Sequence, residues 1–190
     1  PCHNEEHLVG TVIDTMPDYV DRIIVVDDVS SDSTVAIVDD YVQGAPERVR
    51  LIRHDRNSGV GAAIVTGYKA AIGERIDITA VMAGDAQMDP DDLASLLDPL
   101  VDDRCDYSKG NRLFTGDAWN AIPKVRYLGN SALSLMTKIA SGYWHVADSQ
   151  TGYCAATLKA LETIDLDALY PRYGFPNDML VQLNIYGFRV

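Results

Sequence analysis

The sequence predicts an α/β fold, a mostly parallel central sheet with helices on both faces. Two observations carry that expectation. Short β-branched runs alternate with helix-like stretches through the first half of the chain, the pattern of a parallel sheet covered by crossover helices. The 190 residues also suit one domain with a full apolar core. In such a sheet, functional groups gather at the carboxyl ends of the strands.

The elements follow in order. A helix is expected from Asn4 or Glu5 to Asp14, then a strand in "RIIVVDD" from Arg22 to Asp28. Ser31 to Tyr41 reads as a helix, with Ser31 or Asp32 as its cap. "RVRLIRH", Arg48 to His54, is the second strand, and alanine-rich Gly59 to Ile72 is the next helix. "DITAVMA", Asp77 to Ala83, is the third strand. Pro90 to Leu100 reads as a helix with Asp89 as cap and Pro90 at the first helical position. Beyond it, "DYSKGNRLFTGDAWN" reads as a loop and "KVRYLGNSALSLMTKIASGYW" as a long helix. "TGYCAATLKALETI" reads as a strand running into a helix, and "PNDMLVQLNIYG" as a further helix. The opening "PCHNEE" lacks a methionine, and the closing "GFRV" resembles the first residues of a strand. The expectation is therefore a single catalytic domain from a longer polypeptide, missing the start of its first strand and a C-terminal continuation.

Composition narrows the function. A net charge of −12 argues against nucleic acid, whose phosphates would be repelled. Aspartate far outnumbers glutamate and arginine outnumbers lysine, a skew that suits either a GC-rich genome or a salt-loving host. No apolar stretch approaches the roughly 20 residues that span a bilayer. Cys2, Cys105 and Cys154 show neither metal-ligand spacing nor a disulfide framework, which suggests a reducing compartment. His3, His7, His54 and His145 share no spacing that would hold zinc. Trp119 and Trp144 read as core or interface anchors, and Trp119 lies near a run of basic residues.

Chemistry-bearing residues follow the strands. Asp27 and Asp28 end the first strand ahead of "VSSDST", where carboxylates can accept from a base or ribose, or merely shape a turn. "RNSGVGAAIVTG" imitates a dinucleotide fingerprint through Gly59 and Gly61, but Ile64 occupies the place of the third small residue. Its place in the chain is also wrong, which excludes a dehydrogenase reading. The glycines still allow close backbone approach, and Arg56 can meet a phosphate. In "AVMAGDAQMDP" the third strand ends in a single carboxylate, Asp85, with Gln87 behind it.

Taken in order, "PCHNEE", "VVDDVSSDST", "RNSGVGAA", "MAGDAQMDP", "GNR", "DSQTGY" and "GFPND" resemble the landmarks of family 2 glycosyltransferases. The likeness is to the branch of dolichol-phosphate mannosyltransferase and dolichyl-phosphate glucosyltransferase, and it covers nearly the whole chain. The resemblance implies a GT-A fold, a nucleoside diphosphate sugar donor and a divalent cation, Mg2+ or Mn2+. It implies that Pro1, Asn4 and Glu5 form the nucleotide-binding segment and that Asp28 reads the base. Arg56, Asn57, Gly59 and Gly84 would lie against the donor. Asp85 would be the last aspartate of the D-x-D motif and hold the metal with Gln87. The first aspartate of that motif is Ala83 here, a departure that weakens metal affinity and leaves room for an inactive binding module. Magnesium needs few protein ligands when substrate phosphates supply oxygens, so Asp85 with a diphosphate can suffice.

Charge points separately to the acceptor. Arg104, Lys109, Arg112, Lys124 and Arg126 face only Asp106 and Asp117 in the same stretch, a basic island in an acidic chain. It reads as an anion site or as ordinary surface charge. The resemblance implies that Arg112 and Arg126 meet the phosphate of a polyprenyl or dolichyl phosphate. It places Asp148 and Asp178 near the acceptor, where either is a candidate general base if the acceptor is a hydroxyl. Asp178 reads equally as a helix cap, in competition with Asn177. The expected activity is inverting transfer of a sugar to a lipid phosphate at the cytoplasmic face of a membrane. A transferase acting on a sugar hydroxyl and an inactive nucleotide-sugar-binding module are the alternatives.

Overall fold

β1 (Ile23–Asp27) and β2 (Val49–Arg53) lie side by side and parallel, with Ile23 opposite Val49 and Asp27 opposite Arg53. Both are β-branched runs, and α2 (Thr34–Gly44) connects them as a crossover. This computed structural model describes residues 1–111, 136, 138, 139, 142–144, 146, 148 and 150–190. The calls on Arg112, Lys124, Arg126, Asp117, Trp119 and His145 lie outside the described residues.

Alternation along β1 buries both of its faces. Val25 packs with Val9 and Ile13 of α1 (Val9–Asp14) and Val38 of α2. Val26 points the other way, toward Gly67 of α3 (Val60–Gly73), where a Cβ would stand 3.6 Å from its methyl. The expected helix from Asn4 or Glu5 starts instead at Val9. Asn4 has a left-handed backbone (φ 59°), and the Glu5 and Glu6 amides donate to Thr34 Oγ1 and Asp32 Oδ2. Those amides are engaged by the turn leading into α2, so the opening segment does not coil.

β3 (Ile78–Val81) belongs to a second group of strands. β5 (Cys154–Thr157) lies between β3 and β4 (Tyr107–Lys109) and runs antiparallel to both. Cys154 and Ala156 face a core shared with Tyr68 of α3, Leu161 of α5 (Leu158–Thr163) and Met179, Leu180 and Leu183 of α6 (Phe175–Ile185). Ala155 faces the other side, against Leu93, Leu96 and Leu100 of α4 (Leu93–Val101). Helices therefore cover both faces, as expected, while the antiparallel β5 is a feature the sequence reading did not contain. Two further expectations change. The segment read as a loop from Asp106 opens with β4, because Tyr107 and Ser108 are buried against α4 and β5. "GFRV" forms no strand; its Arg189 carbonyl accepts from the Asp106 and Tyr107 amides at the start of β4.

Candidate active site

Pro1–Glu5, the turn after β1, the turn after β2 and the turn after β3 converge at one end of the strands. The Cys2 amide donates to the Val26 carbonyl and the Asp28 amide to the Cys2 carbonyl, both at 2.9 Å. His3 Nδ1 meets the Asp28 carbonyl at 2.8 Å, and the Asn4 amide donates to Ser30 Oγ at 2.8 Å. Asn4 Oδ1 accepts from the Ser31 amide. The opening segment is thus sewn to the β1 turn by backbone and short polar side chains, the residue types that bond locally to backbone. On its other side, the Gly84 amide donates to the Pro1 carbonyl at 3.1 Å. A Cβ on Gly84 would stand 3.0 Å from the Cys2 Cβ, so a larger residue at this buried contact would push Cys2 by a few tenths of an ångström.

Asp28 is 4% exposed and holds the centre of this end. Its Oδ1 accepts from the Ser58 amide and His54 Nδ1, and its Oδ2 from the Gly59 amide, each at 2.8 Å. A carboxylate only accepts, so His54 Nδ1 carries the proton there. Burial pushes the Asp28 carboxyl up, but the Ser58 amide, His54 and the Gly59 amide together outweigh it, and the pKa lies below the usual range. Asn57 Nδ2 donates to the Asp28 carbonyl, and Arg56 beside it is exposed. Asp28 therefore builds the β2 turn first; one lone pair of Oδ2 remains for a further donor. His54, which the sequence reading set aside, is part of this network and reaches Thr66 through Nε2 at 2.9 Å. Its place at the carboxyl end of β2, level with Asp28 across the parallel pair, was the available signal.

The glycines after β2 serve the chain itself. Gly59 has φ 96°, and a Cβ there would lie 2.7 Å from the Pro171 carbonyl oxygen. A Cβ on Gly61 would lie 2.5 Å from that of Tyr170. The close backbone approach expected for a ligand is occupied at these two positions by the loop preceding α6.

Asp85 sits half-buried in a tight turn, its Oδ1 accepting from the Gln87 amide at 3.1 Å, with Ala86 left-handed at φ 54°. The Gln87 side chain is exposed. Burial raises the Glu5 carboxyl pKa, and repulsion from Asp85 and then Asp32 raises it further. Two carboxylates that repel one another at a rim suit a cation. Among the described residues, no group of three or more His, Cys, Asp or Glu side chains forms a complete metal site.

Asp148 is buried and accepts from the Gln150 amide at 3.0 Å. Gln150 Nε2 in turn donates to Asn177 Oδ1 at 2.7 Å, which ties the Asp148 turn to α6. Asp178 is not the cap of that helix. α6 begins at Phe175 with Pro176 in its first turn, ahead of both Asn177 and Asp178. The Asp178 Oδ2 instead accepts from the Tyr170 amide at 2.9 Å and holds the loop that covers Gly59 and Gly61.

The layered sheet with its loops joined at one end defines the GT-A class. The chain superposes on a crystal structure of Mycobacterium tuberculosis glucosyl-3-phosphoglycerate synthase in complex with Mn2+, UDP and phosphoglyceric acid. The TM-score is 0.70 at 22% identity, over 98% of this chain and 63% of that one. The sequence places it more closely: residues 1–165 match the model of glycosyl transferase family 2, and the chain belongs to that family. It is 31% identical over 193 residues to a Methanococcus voltae protein named UDP-N-acetylglucosamine–dolichyl-phosphate N-acetylglucosaminyltransferase, over 95% of this chain and 76% of that one. It is 29% identical to a Mycolicibacterium smegmatis protein named polyprenol monophosphomannose synthase, over 100% of this chain and 72% of that one.

One consequence concerns Glu5. A carboxyl whose folded pKa is raised contributes stability below its unfolded pKa and loses it as pH rises through the folded one. Glu5→Gln removes that loss, so without divalent cations it raises Tm at neutral pH, and the gain shrinks as pH falls through the carboxylate range. If Glu5 lies beside a bound cation, the same variant is expected to gain less Tm from added Mn2+ and UDP than the wild type. Thermal unfolding across pH, with and without these ligands, measures both effects.

Proposed function

We propose that this chain moves a sugar from a nucleoside diphosphate donor to a polyprenyl or dolichyl phosphate, with inversion at the anomeric carbon. The observation that carries the reading is the convergence of Pro1–Glu5, Asp28, the Arg56–Gly59 turn and Asp85 at one end of the strands. The names of the two relatives support the acceptor class. The exposed Arg56 and Asn57 would meet the donor, Arg56 by charge and Asn57 as an amide. Asp85 and Glu5 would hold Mg2+ or Mn2+, with Gln87 beside them, in a site that Ala83 leaves short of one carboxylate. When bound, the cation offsets charge on the departing diphosphate.

Asp148 is buried against the Gln150 amide and Asp178 holds the Tyr170 amide, so both carboxylates also shape the loops they sit on. An ionised phosphate is already a nucleophile and needs no base. No helix among the described residues is long and apolar enough to cross a membrane. The reaction would take place at the cytoplasmic membrane face, where a lipid phosphate meets a water-soluble donor.

Acceptor kinetics with a short polyprenyl phosphate, beside UDP affinity, test this reading. Arg112→Ala and Arg126→Ala each lower the acceptor kcat/KM roughly tenfold or more, since a charge-assisted phosphate contact is worth about 1.5–3 kcal/mol. Arg126→Lys restores part of the loss, because lysine lacks the planar fork. Donor affinity is unchanged. Lipid-phosphate transfer unaffected by either variant would favour a hydroxyl acceptor, and no turnover with any acceptor would favour a binding module.

A further inference from the structure

Asp28 has less to offer a ligand than a carboxylate ordinarily does. A carboxylate carries about four acceptor positions, two on each oxygen. Three of them are filled from within the fold: two on Oδ1 by the Ser58 amide and His54 Nδ1, one on Oδ2 by the Gly59 amide. The residue is also almost sealed from solvent, which leaves the remaining Oδ2 position for an incoming group.

Two of the three donors are backbone amides of the turn after β2. The third is a side chain, and it is fixed at both ends. His54 Nδ1 donates to Asp28, and Nε2 lies 2.9 Å from Thr66 Oγ1 in α3. Thr66 Oγ1 also lies 3.0 Å from the Ala62 carbonyl, so its hydroxyl suits a ring nitrogen that accepts and one that donates. The imidazole therefore keeps its place against Oδ1 in either protonation state. Around the open position the long side chains carry donors. Arg56 is exposed on the same turn, and the Arg172 stem lies against Gly59, where a Cβ would stand 2.8 Å from its Cγ. A guanidinium donates and cannot accept.

We propose that His54 is a positioning residue that sets the base selectivity of the donor site: by filling Oδ1 it limits Asp28 to a single N–H and so favours uracil over guanine. The assignment rests on the proposed donor site, with Asp28 meeting the base. Uracil presents one ring N–H between two carbonyl oxygens. The N–H matches the open Oδ2 position, and the flanking oxygens suit guanidinium donors. Guanine presents two adjacent donors, N1–H and N2–H2, which a carboxylate meets with both of its oxygens at once. With Oδ1 filled, the second of these donors loses its acceptor. Adenine and cytosine turn an accepting ring nitrogen toward the carboxylate, where two lone pairs repel. Without the imidazole, Oδ1 regains an acceptor position and the space beside it, and a two-oxygen contact to guanine opens. Specificity here is a difference between two affinities, made by removing an acceptor from the wrong base.

Calorimetric titration with UDP and with GDP, each in the presence of Mn2+, tests this in the wild type and in His54→Ala, His54→Asn and Thr66→Val. The wild type is expected to bind UDP about tenfold or more tightly than GDP, the effect of one donor left unpaired. His54→Ala is expected to bring the two affinities within about threefold of each other, since the second donor regains its acceptor. His54→Asn keeps most of the preference, because its amide nitrogen stands where Nδ1 donates. Thr66→Val releases Nε2 and falls between the two, and it carries the test if His54→Ala does not fold. A His54 that merely supports the fold would weaken both nucleotides together. An unchanged ratio in His54→Ala and Thr66→Val therefore overturns the inference. A wild type that binds GDP as tightly as UDP, or more tightly, overturns it while leaving the donor site standing. A wild type that binds neither nucleotide overturns the donor site, and the role of His54 with it.

Discussion

Asp85→Asn is expected to abolish Mn2+-dependent binding of UDP and to lower sugar transfer roughly 100-fold or more, about 2.7 kcal/mol of transition-state stabilisation. The reason lies in the turn after β3. Asp85 is held by the Gln87 amide at the rim where Pro1–Glu5 closes over Gly84, and repulsion between its carboxylate and Glu5 contributes to the raised Glu5 pKa. With Ala83 in place of a second aspartate, no neighbouring carboxylate on that turn compensates for its loss. Asparagine keeps an oxygen for the Gln87 amide, so the turn survives and Tm without ligand changes little. Calorimetric titration of UDP with and without Mn2+ reads the effect directly. Wild-type turnover and metal dependence in the variant would make Asp85 a bystander.

Asp28→Ala is expected to cost about 3–5 kcal/mol of stability, the range for removing one partner of a buried charged network. Three donors lose their acceptor together: the Ser58 amide, the Gly59 amide and His54 Nδ1. For a domain of this size the Tm falls by roughly 10 °C. The β2 turn then loosens, and UDP affinity falls with it because Arg56 and Asn57 ride on that turn. Asp28→Asn loses less, since one oxygen still accepts. The pH dependence follows from the lowered pKa. A carboxyl held below its unfolded value contributes stability above the unfolded pKa and loses it as pH falls through the folded one. Asp28→Asn therefore flattens the acid side of the stability profile, which urea unfolding at several pH values can measure.

Much of this was legible in the chain. Strand runs at Arg22–Asp28, Arg48–His54 and Asp77–Ala83 each contain an observed strand, shortened at the ends. The Asp89 cap is also present: its side chain accepts from the Asp91 amide ahead of a short 3-10 turn that leads into α4. β-branched clustering and capping residues act over a few positions, so they can be read without knowing what packs nearby. The ordered motifs identified the family for a similar reason, since three of them lie just after β1, β2 and β3, where short local signals suffice.

Partnership was not legible. Nothing local says that β5 is inserted antiparallel between β3 and β4, because pairing joins residues 78 and 157, far apart in the chain. Gly59 and Gly61 announce close approach in sequence, but only the fold shows that Pro171 and Tyr170 are what approach. Asp178 reads as a possible cap beside Asn177, yet the helix starts earlier and its carboxylate serves the Tyr170 amide. By itself the sequence determined the first three strands, the family and the net negative charge, all properties of residue type and short spacing. The tertiary structure decided which carboxylates are engaged, which glycines are crowded and which strands pair, because each depends on groups brought together from distant parts of the chain.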